Sequence, residues 1–330
     1  MISKERLDFL KENISGKNIV VIGDMMLDAY FWGAVSRISP EAPVPVVEID
    51  NEFFRFGGAA NVANNIIHLG ANPIPIGVIG NDQYGEIFKD LMKKEGISPE
   101  TIFTTDDRPT TTKIRVIADN QHIVRIDKEV KADLDTETED LIISFLNDKA
   151  DEIDGIILQD YNKGVLTKSL IKNVSDFAKK NNILITVDPK FKNFFEYKNV
   201  TLFKPNRSET EQAYGIKIEN EEDLKKAGFR LLDDLNSESV LLTLSEDGIA
   251  LFEKGEDEFK RVPTKARKVA DVSGAGDTVI STLTLALASG GSLVESAYLA
   301  NFAGGIVCEE VGIVPIEADK LFNQVWNDLK

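Results

Sequence analysis

The chain has 330 residues, 42% of them hydrophobic and 28% charged, the balance of a globular α/β protein with a real core. A formal net charge of −17, concentrated in residues 133–154, 209–234 and 253–258, argues against nucleic acid as a partner, because binding a phosphate backbone takes clustered Lys and Arg. The single cysteine excludes an internal disulfide framework, and no apolar stretch or leader pattern suggests a membrane or secretion, so a cytoplasmic protein is expected.

Strand-like and helix-like segments alternate along the chain, which predicts a layered α/β fold with a mainly parallel sheet. Residues 18–23 form an apolar β-branched run that ends in Gly-Asp. Residues 42–56 carry Pro43 and Pro45, then alternate as a strand through Val46, Val47 and Ile49. Helices are predicted over 58–69 and 83–95. Two strands, 110–117 and 122–126, flank an Asp-Asn-Gln turn, and with 42–56 they suggest a small antiparallel sheet outside the main one. An ordinary edge hairpin reads equally well. Further on, strands over 154–158, 183–187, 200–203 and 240–244 alternate with helices over 136–149, 167–180 and 221–235. Two apolar helices, 275–288 and 293–307, close the pattern, with Cys308 read as a buried structural thiol. No repeat or Gly/Ser linker divides the chain, so a single domain over 1–330 is expected, with lid strands from about 34–56 and 110–127. In such sheets ligands gather beyond the carboxyl ends of the strands.

The most informative segment is Asp271-Val272-Ser273-Gly274-Ala275-Gly276-Asp277-Thr278, where a loop opens an apolar helix. Free amides at a helix start favour an anion, and two glycines let a phosphate approach the backbone. Asp277 sits in that first turn. It could be no more than a partner of the helix dipole, or it could be the base that deprotonates an attacking hydroxyl.

The 271–277 segment resembles the C-terminal signature of the ribokinase/PfkB carbohydrate kinase family, and Gly57-Gly58-Ala59-Ala60-Asn61 resembles its N-terminal one. Gly80-Asn81-Asp82 with Gly85, and Lys204-Pro205-Asn206-Arg207-Ser208-Glu209, are similar to two further family motifs, in family order. The resemblance implies a ribokinase-like three-layer α/β/α sandwich with a small β-strand lid. It also implies an ATP- and Mg²⁺-dependent carbohydrate kinase, in some members aided by a monovalent cation. Asp277 would be the base, with Gly274, Ala275 and Gly276 as the anion cradle. Within the family, Gly23–Asp28, Ser36–Val46, Asp160–Gly164 and Asp188-Pro189-Lys190 are similar to the kinases that phosphorylate D-glycero-D-manno-heptose 7-phosphate at its anomeric hydroxyl. Phe191 and Asn162 depart from that subgroup. Those kinases are often fused to an adenylyltransferase, whose His-x-Gly-His motif is not in this sequence; His68 and His122 are its histidines. The kinase part alone is expected.

Carried over by position, the resemblance assigns Asp24, Asp28, Gly57, Gly58, Asn61 and Asp188 to the sugar, and Arg37, Lys163 and Lys190 to its phosphate, with Arg115 and Arg125 as additions. A tight turn for the glycines, or plain surface charge for the cations, is the alternative. Asn206, Arg207, Ser208 and Glu209 would serve the nucleotide, Asn206 and Glu209 through Mg²⁺ and its waters, unless they form an N-cap pair. Thr243, Ser245, Glu246 and Gly248 resemble an ATP-binding turn or a plain hairpin, and Asn301 either faces adenine or packs in the core. The expected partners are a sugar phosphate, ATP and a second copy joined through the lid strands. A sugar-binding regulator is the competing class. A nicotinamide enzyme is set aside because the first strand leads to Gly23-Asp24-Met25 and not to G-x-G-x-x-G.

Overall fold

The computed structural model describes residues 2–119, 121–264 and 269–329; Asn120 of the expected turn lies outside them. The first half runs α1 (Lys4–Ile14), β1 (Asn18–Gly23), β2 (Met25–Ile38), β3 (Pro45–Gly58), α2 (Ala59–His68), β4 (Asn72–Gly80), α3 (Gln83–Lys94), β5 (Ile102–Thr105), β6 (Thr112–Ala118) and β7 (Gln121–Lys128). The second half continues with α4 (Thr136–Asp148), β8 (Gly155–Gln159), α5 (Lys168–Asn181), β9 (Leu184–Asp188), β10 (Leu202–Phe203), α6 (Arg207–Tyr214) and α7 (Glu221–Leu235). It ends with β11 (Ser239–Thr243), β12 (Ile249–Glu253), β13 (Lys260–Val262), α8 (Ala275–Ala288), α9 (Leu293–Val307) and α10 (Ala318–Asp328).

Nine strands form one sheet in the order β13-β12-β11-β10-β9-β8-β1-β4-β5, parallel except at the β11–β12–β13 end. Successive side chains of β1 point to opposite faces. Ile19 and Val21 join a core that includes Val62 and Ile66 of α2 and Ile280 and Leu283 of α8. Val20 and Ile22 join a second core with Ile142 of α4, Leu170 and Val174 of α5 and Leu231 of α7. Covering both faces is what a parallel sheet of continuous apolar strands requires. The result is the three-layer α/β/α arrangement. No helix among the described residues is long and apolar enough to cross a membrane.

A second sheet has the order β3-β2-β6-β7. The expectation of an antiparallel sheet needs correcting: β2 pairs with β6 in parallel, while β2–β3 and β6–β7 are antiparallel. The chain passes through α2, β4, α3 and β5 before it returns, so β6 enters beside β2 in the same direction. The sheet also begins at Met25, ahead of the expected boundary near 34, because β2 leaves β1 after Asp24 alone. Cys308 is half-buried at the end of α9, not enclosed.

Candidate active site

The carboxyl ends of β1, β8, β9, β10 and β11 lie side by side, so the residues that follow them meet in one place. Opposite them α8 begins at Gly274, whose φ of 80° is the left-handed conformation that glycine takes without strain. No side chain caps this helix. Its first-turn amides lack partners inside the helix, and although Ala275 N donates to Val272 O at 3.3 Å, those that follow are open to an anion. A Cβ added to Gly276 would meet nothing closer than 3.7 Å, where it nears Asp188 Oδ2. The protein itself does not demand glycine at 276, whereas a phosphate drawn close to the backbone would.

Asp277 lies one residue further on and is buried. Its Oδ2 accepts from Asn61 Nδ2 at 2.8 Å, and its Oδ1 accepts from Tyr161 Oη at 2.8 Å and Gln159 Nε2 at 3.1 Å. Burial pushes its pKa up to about 6; the Asn61 hydrogen bond opposes this and the Asp188 charge adds to it. Asp188 Oδ2 accepts from Gln159 at 3.2 Å and is paired with buried Lys204 at 3.0 Å. A carboxylate poised near neutrality beside an open helix start suits proton abstraction from a hydroxyl.

On the lid side, buried Asp28 pairs with Arg115, which also lies over the Tyr30 ring at 5.2 Å. Burial raises the Asp28 pKa, and Arg115 opposes the shift. A Cβ on Gly57 would fall 2.4 Å from Asp28 Oδ2, so any side chain there would displace the Asp28 carboxylate. Gly58 holds φ 59° against the Asp24 carbonyl. Asn61, Gly57, Gly58, Asp28 and Asp277 are thus brought together.

Other sequence-predicted residues take different places. The buried Asp24 carboxylate accepts from the amides of Tyr161 (2.8 Å), Lys163 (3.0 Å) and Val165 (3.1 Å). Burial and the neighbouring Asp160 lift its pKa to about 6, against the pull of those amides. Arg37 is exposed near the far end of β2, nine residues beyond Asp28 or roughly 30 Å along the strand. Lys163 binds Glu129 at 2.6 Å, and Lys113 reaches the same carboxylate at 3.8 Å. Arg125 is exposed and pairs with Asp127 at 2.9 Å. Lys190 sits on the other side of the centre, against Glu209 and over the Tyr161 ring.

Asn206 and Glu209 form a complete capping box for α6, Asn206 Oδ1 accepting from Glu209 N at 2.8 Å and Glu209 Oε2 from Asn206 N at 2.9 Å. With Lys190 on its other oxygen, Glu209 has no oxygen free of a partner, which suits contact with a nucleotide-borne metal through water and not direct ligation. Ser208 is exposed in the first turn of α6, and Arg207 pairs with Asp247 at 2.8 Å. Thr243 bridges to Asn206, joining α6 to a tight turn with exposed Ser245 and Glu246 and with Gly248 at φ 81°. Asn301 donates to Pro263 O at 2.6 Å, a tie between α9 and the segment after β13. Asn162 adopts φ 56°, which asparagine tolerates, and Phe191 is exposed.

Sequence reasoning missed Gln159, Tyr161 and Lys204 as members of the centre. Gln159 is a polar residue closing the buried strand β8, a usable signal. Nothing in the local sequence aims Tyr161 at Asp277.

The architecture is that of the ribokinase-like sugar kinases. Arabidopsis thaliana ribokinase complexed with ribose and ATP superposes with a TM-score of 0.73 at 19% identity, covering 93% of this chain and 99% of the other. Escherichia coli phosphofructokinase-2 in complex with potassium gives 0.74 at 20% identity, covering 96% and 99%. The chain belongs to the pfkB family of carbohydrate kinases, whose family model matches residues 16–319, and it is a phosphotransferase. Among curated relatives it is 42% identical over 311 residues to "Bifunctional protein HldE" of Desulfatibacillum aliphaticivorans, covering 94% of this chain and 63% of that protein. It is 45% identical over 296 residues to the protein of the same name from Helicobacter pylori strain Shi470, covering 90% and 64%. The chain thus spans a little under two thirds of the length of these relatives.

Proposed function

We propose that this chain transfers the γ-phosphoryl group of ATP to the anomeric hydroxyl of D-glycero-D-manno-heptose 7-phosphate, in the cytoplasm. The observation that carries the reaction is the buried Asp277 carboxylate beside the uncapped start of α8. Its three donors occupy three of about four lone-pair positions, leaving one on Oδ2 for the acceptor hydroxyl. Asp277 takes the hydroxyl proton, the freed oxygen forms a bond to the γ-phosphorus, and the bond to the ADP oxygen breaks in line. The amides at Gly274–Gly276 stabilise the charge in flight, with Lys204 and Lys190 as nearby cations. Mg²⁺, when bound, neutralises the nucleotide phosphates; Asn206 and Glu209 would meet it through water. Thr243, Gly248 and Asn301 would flank the nucleotide.

The heptose phosphate is supported by the Ser36–Val46 resemblance and by the relatives named HldE. Arg115, Lys113 and Lys163 at the base of the small sheet would take the sugar's phosphate, exchanging carboxylate partners for it. We read the small sheet as a lid that shuts out competing water. A panel of sugars and sugar phosphates with ATP and Mg²⁺, with and without KCl, followed by ³¹P NMR of the product, tests this. Turnover confined to a hexose phosphate or ribose would replace the heptose reading, and no turnover with any sugar would favour a sugar-binding role.

A further inference from the structure

We propose that Tyr161, held in place by Asp24, is a positioning residue that keeps the base Asp277 ionised and correctly turned; this rests on the reading of Asp277 as the base. The residues involved form one continuous chain of contacts. Asp24 is the single residue between β1 and β2, buried, and it spends its carboxylate on three backbone amides of the 161–165 loop. Burying a carboxylate without a cation is costly, and three amides at one site are a specific device for fixing that loop. The loop is otherwise irregular, with Asn162 and Gly164 both at positive φ. What it carries into the centre is the Tyr161 hydroxyl, 2.8 Å from Asp277 Oδ1.

A second strut supports the same loop. Tyr197 Oη donates to Asp160 Oδ2 at 2.6 Å, and Asp160 Oδ1 accepts from Asn162 N at 2.7 Å. Lys190 Nζ lies 5.6 Å from the centre of the Tyr161 ring, so the ring is held from its face as well. Burial raises the tyrosine's own pKa well above 10, so its hydroxyl acts as a donor to Asp277 and not as an anion. A donor to the ionised form favours that form. The groups that face Asp277 are Gln159 at the end of β8 and Tyr161 beyond it, Asn61 of α2, Asp188 at the end of β9 and Lys190 beyond it, and Lys204 beyond β10. Burial and Asp188 favour the protonated acid, while Asn61, Tyr161 and Lys204 oppose them. Tyr161 is the one of these opponents whose hydroxyl can be deleted with almost no change of shape.

The test is Tyr161→Phe, read by the pH profile of kcat/KM and by ¹³C NMR titration of the Asp277 carboxyl. The acidic limb is expected to move up by about one pH unit, so the variant loses about tenfold at pH 5.5 and much less at pH 8. The Asp277 carboxyl titration should move by the same amount without substrate present. Asp24→Asn, which leaves one acceptor oxygen for three amides, should shift both curves in the same direction if it folds. An equal loss at every pH, with an unmoved carboxyl titration, would overturn the proposal. Normal turnover by Asp277→Asn would instead remove the base reading itself, and the NMR titration of Tyr161→Phe still reports on the contact.

Discussion

At the scale of single residues, Asp277 is held in a form that costs stability. Its folded pKa of about 6 lies above the ordinary carboxylate value of 3.8. The stability it contributes is therefore fully present below about pH 3.8 and is lost as pH rises through about 6, where the buried acid ionises. If Asp277 is the base we propose, activity runs the opposite way: the base must be ionised, so turnover should fall as pH drops through about 6. Asp277→Asn removes the buried charge, and Asn61 can turn its unpartnered Oδ1 towards the new amide. A thermal melt at pH 8 should therefore place this variant no lower than the parent. Gly276→Ala makes a second residue-scale case. The new Cβ has room within the protein, so folding stability should hold or rise slightly. Phosphate approach is blocked, and turnover should drop by about 10²-fold in a coupled ADP assay.

At the scale of elements, α6 opens on a motif that caps the helix and that we propose also meets the nucleotide. The Asn206–Glu209 capping box starts a helix of eight residues, and Lys190 reaches across from the β9 side to Glu209. Asn206→Ala should lower stability by about 1 kcal/mol in urea unfolding, in addition to any loss of nucleotide affinity. The elements that sequence made legible are those with strong periodicity. Strand β1, helix α7 and helices α8 and α9 lie over the residues expected for them. Short or mixed-signal pieces were not legible. Residues 25–38 carry Asp28, Trp32, Gly33 and Arg37 in an apolar run, which hides a 14-residue strand. Elements α1, β4 and α10 are not among the expected ones, although Ser3 caps α1 and α10 buries Leu321, Phe322 and Val325 on one face. The candidate site divides in the same way. Glycines, the helix start and Asp277 announce themselves locally, since their chemistry is a local backbone property. The partners of Asp24, Lys163 and Lys190 depend on chain crossings that no local pattern encodes. Arg37 could be marked as a cation, but its distance follows only from the length of β2.

At the scale of the whole molecule, the small sheet joins the first core at its base through Met25, Leu27 and Phe56, while its far end and β7 are poorly covered. Every residue of β7 is exposed, and Ile38, Val44, Ile49, Val124 and Ile126 are exposed large apolar side chains on it or beside it. We propose that a second copy covers this sheet, which would satisfy both its apolar residues and its free edge. Sedimentation equilibrium should give twice the chain mass, and Val124→Lys with Ile126→Lys should return it to one. A monomer in the unaltered protein would leave the sheet as a lid alone. The proposed reaction depends on the buried acid in the first turn of α8. Its most direct test is the steady-state turnover of Asp277→Asn with ATP, Mg²⁺ and the accepted sugar phosphate, alongside ATP binding by calorimetry. The expected result is a loss of at least ~10²-fold in kcat with ATP affinity retained. Near-normal kcat in that variant would contradict the assignment of Asp277 as the base.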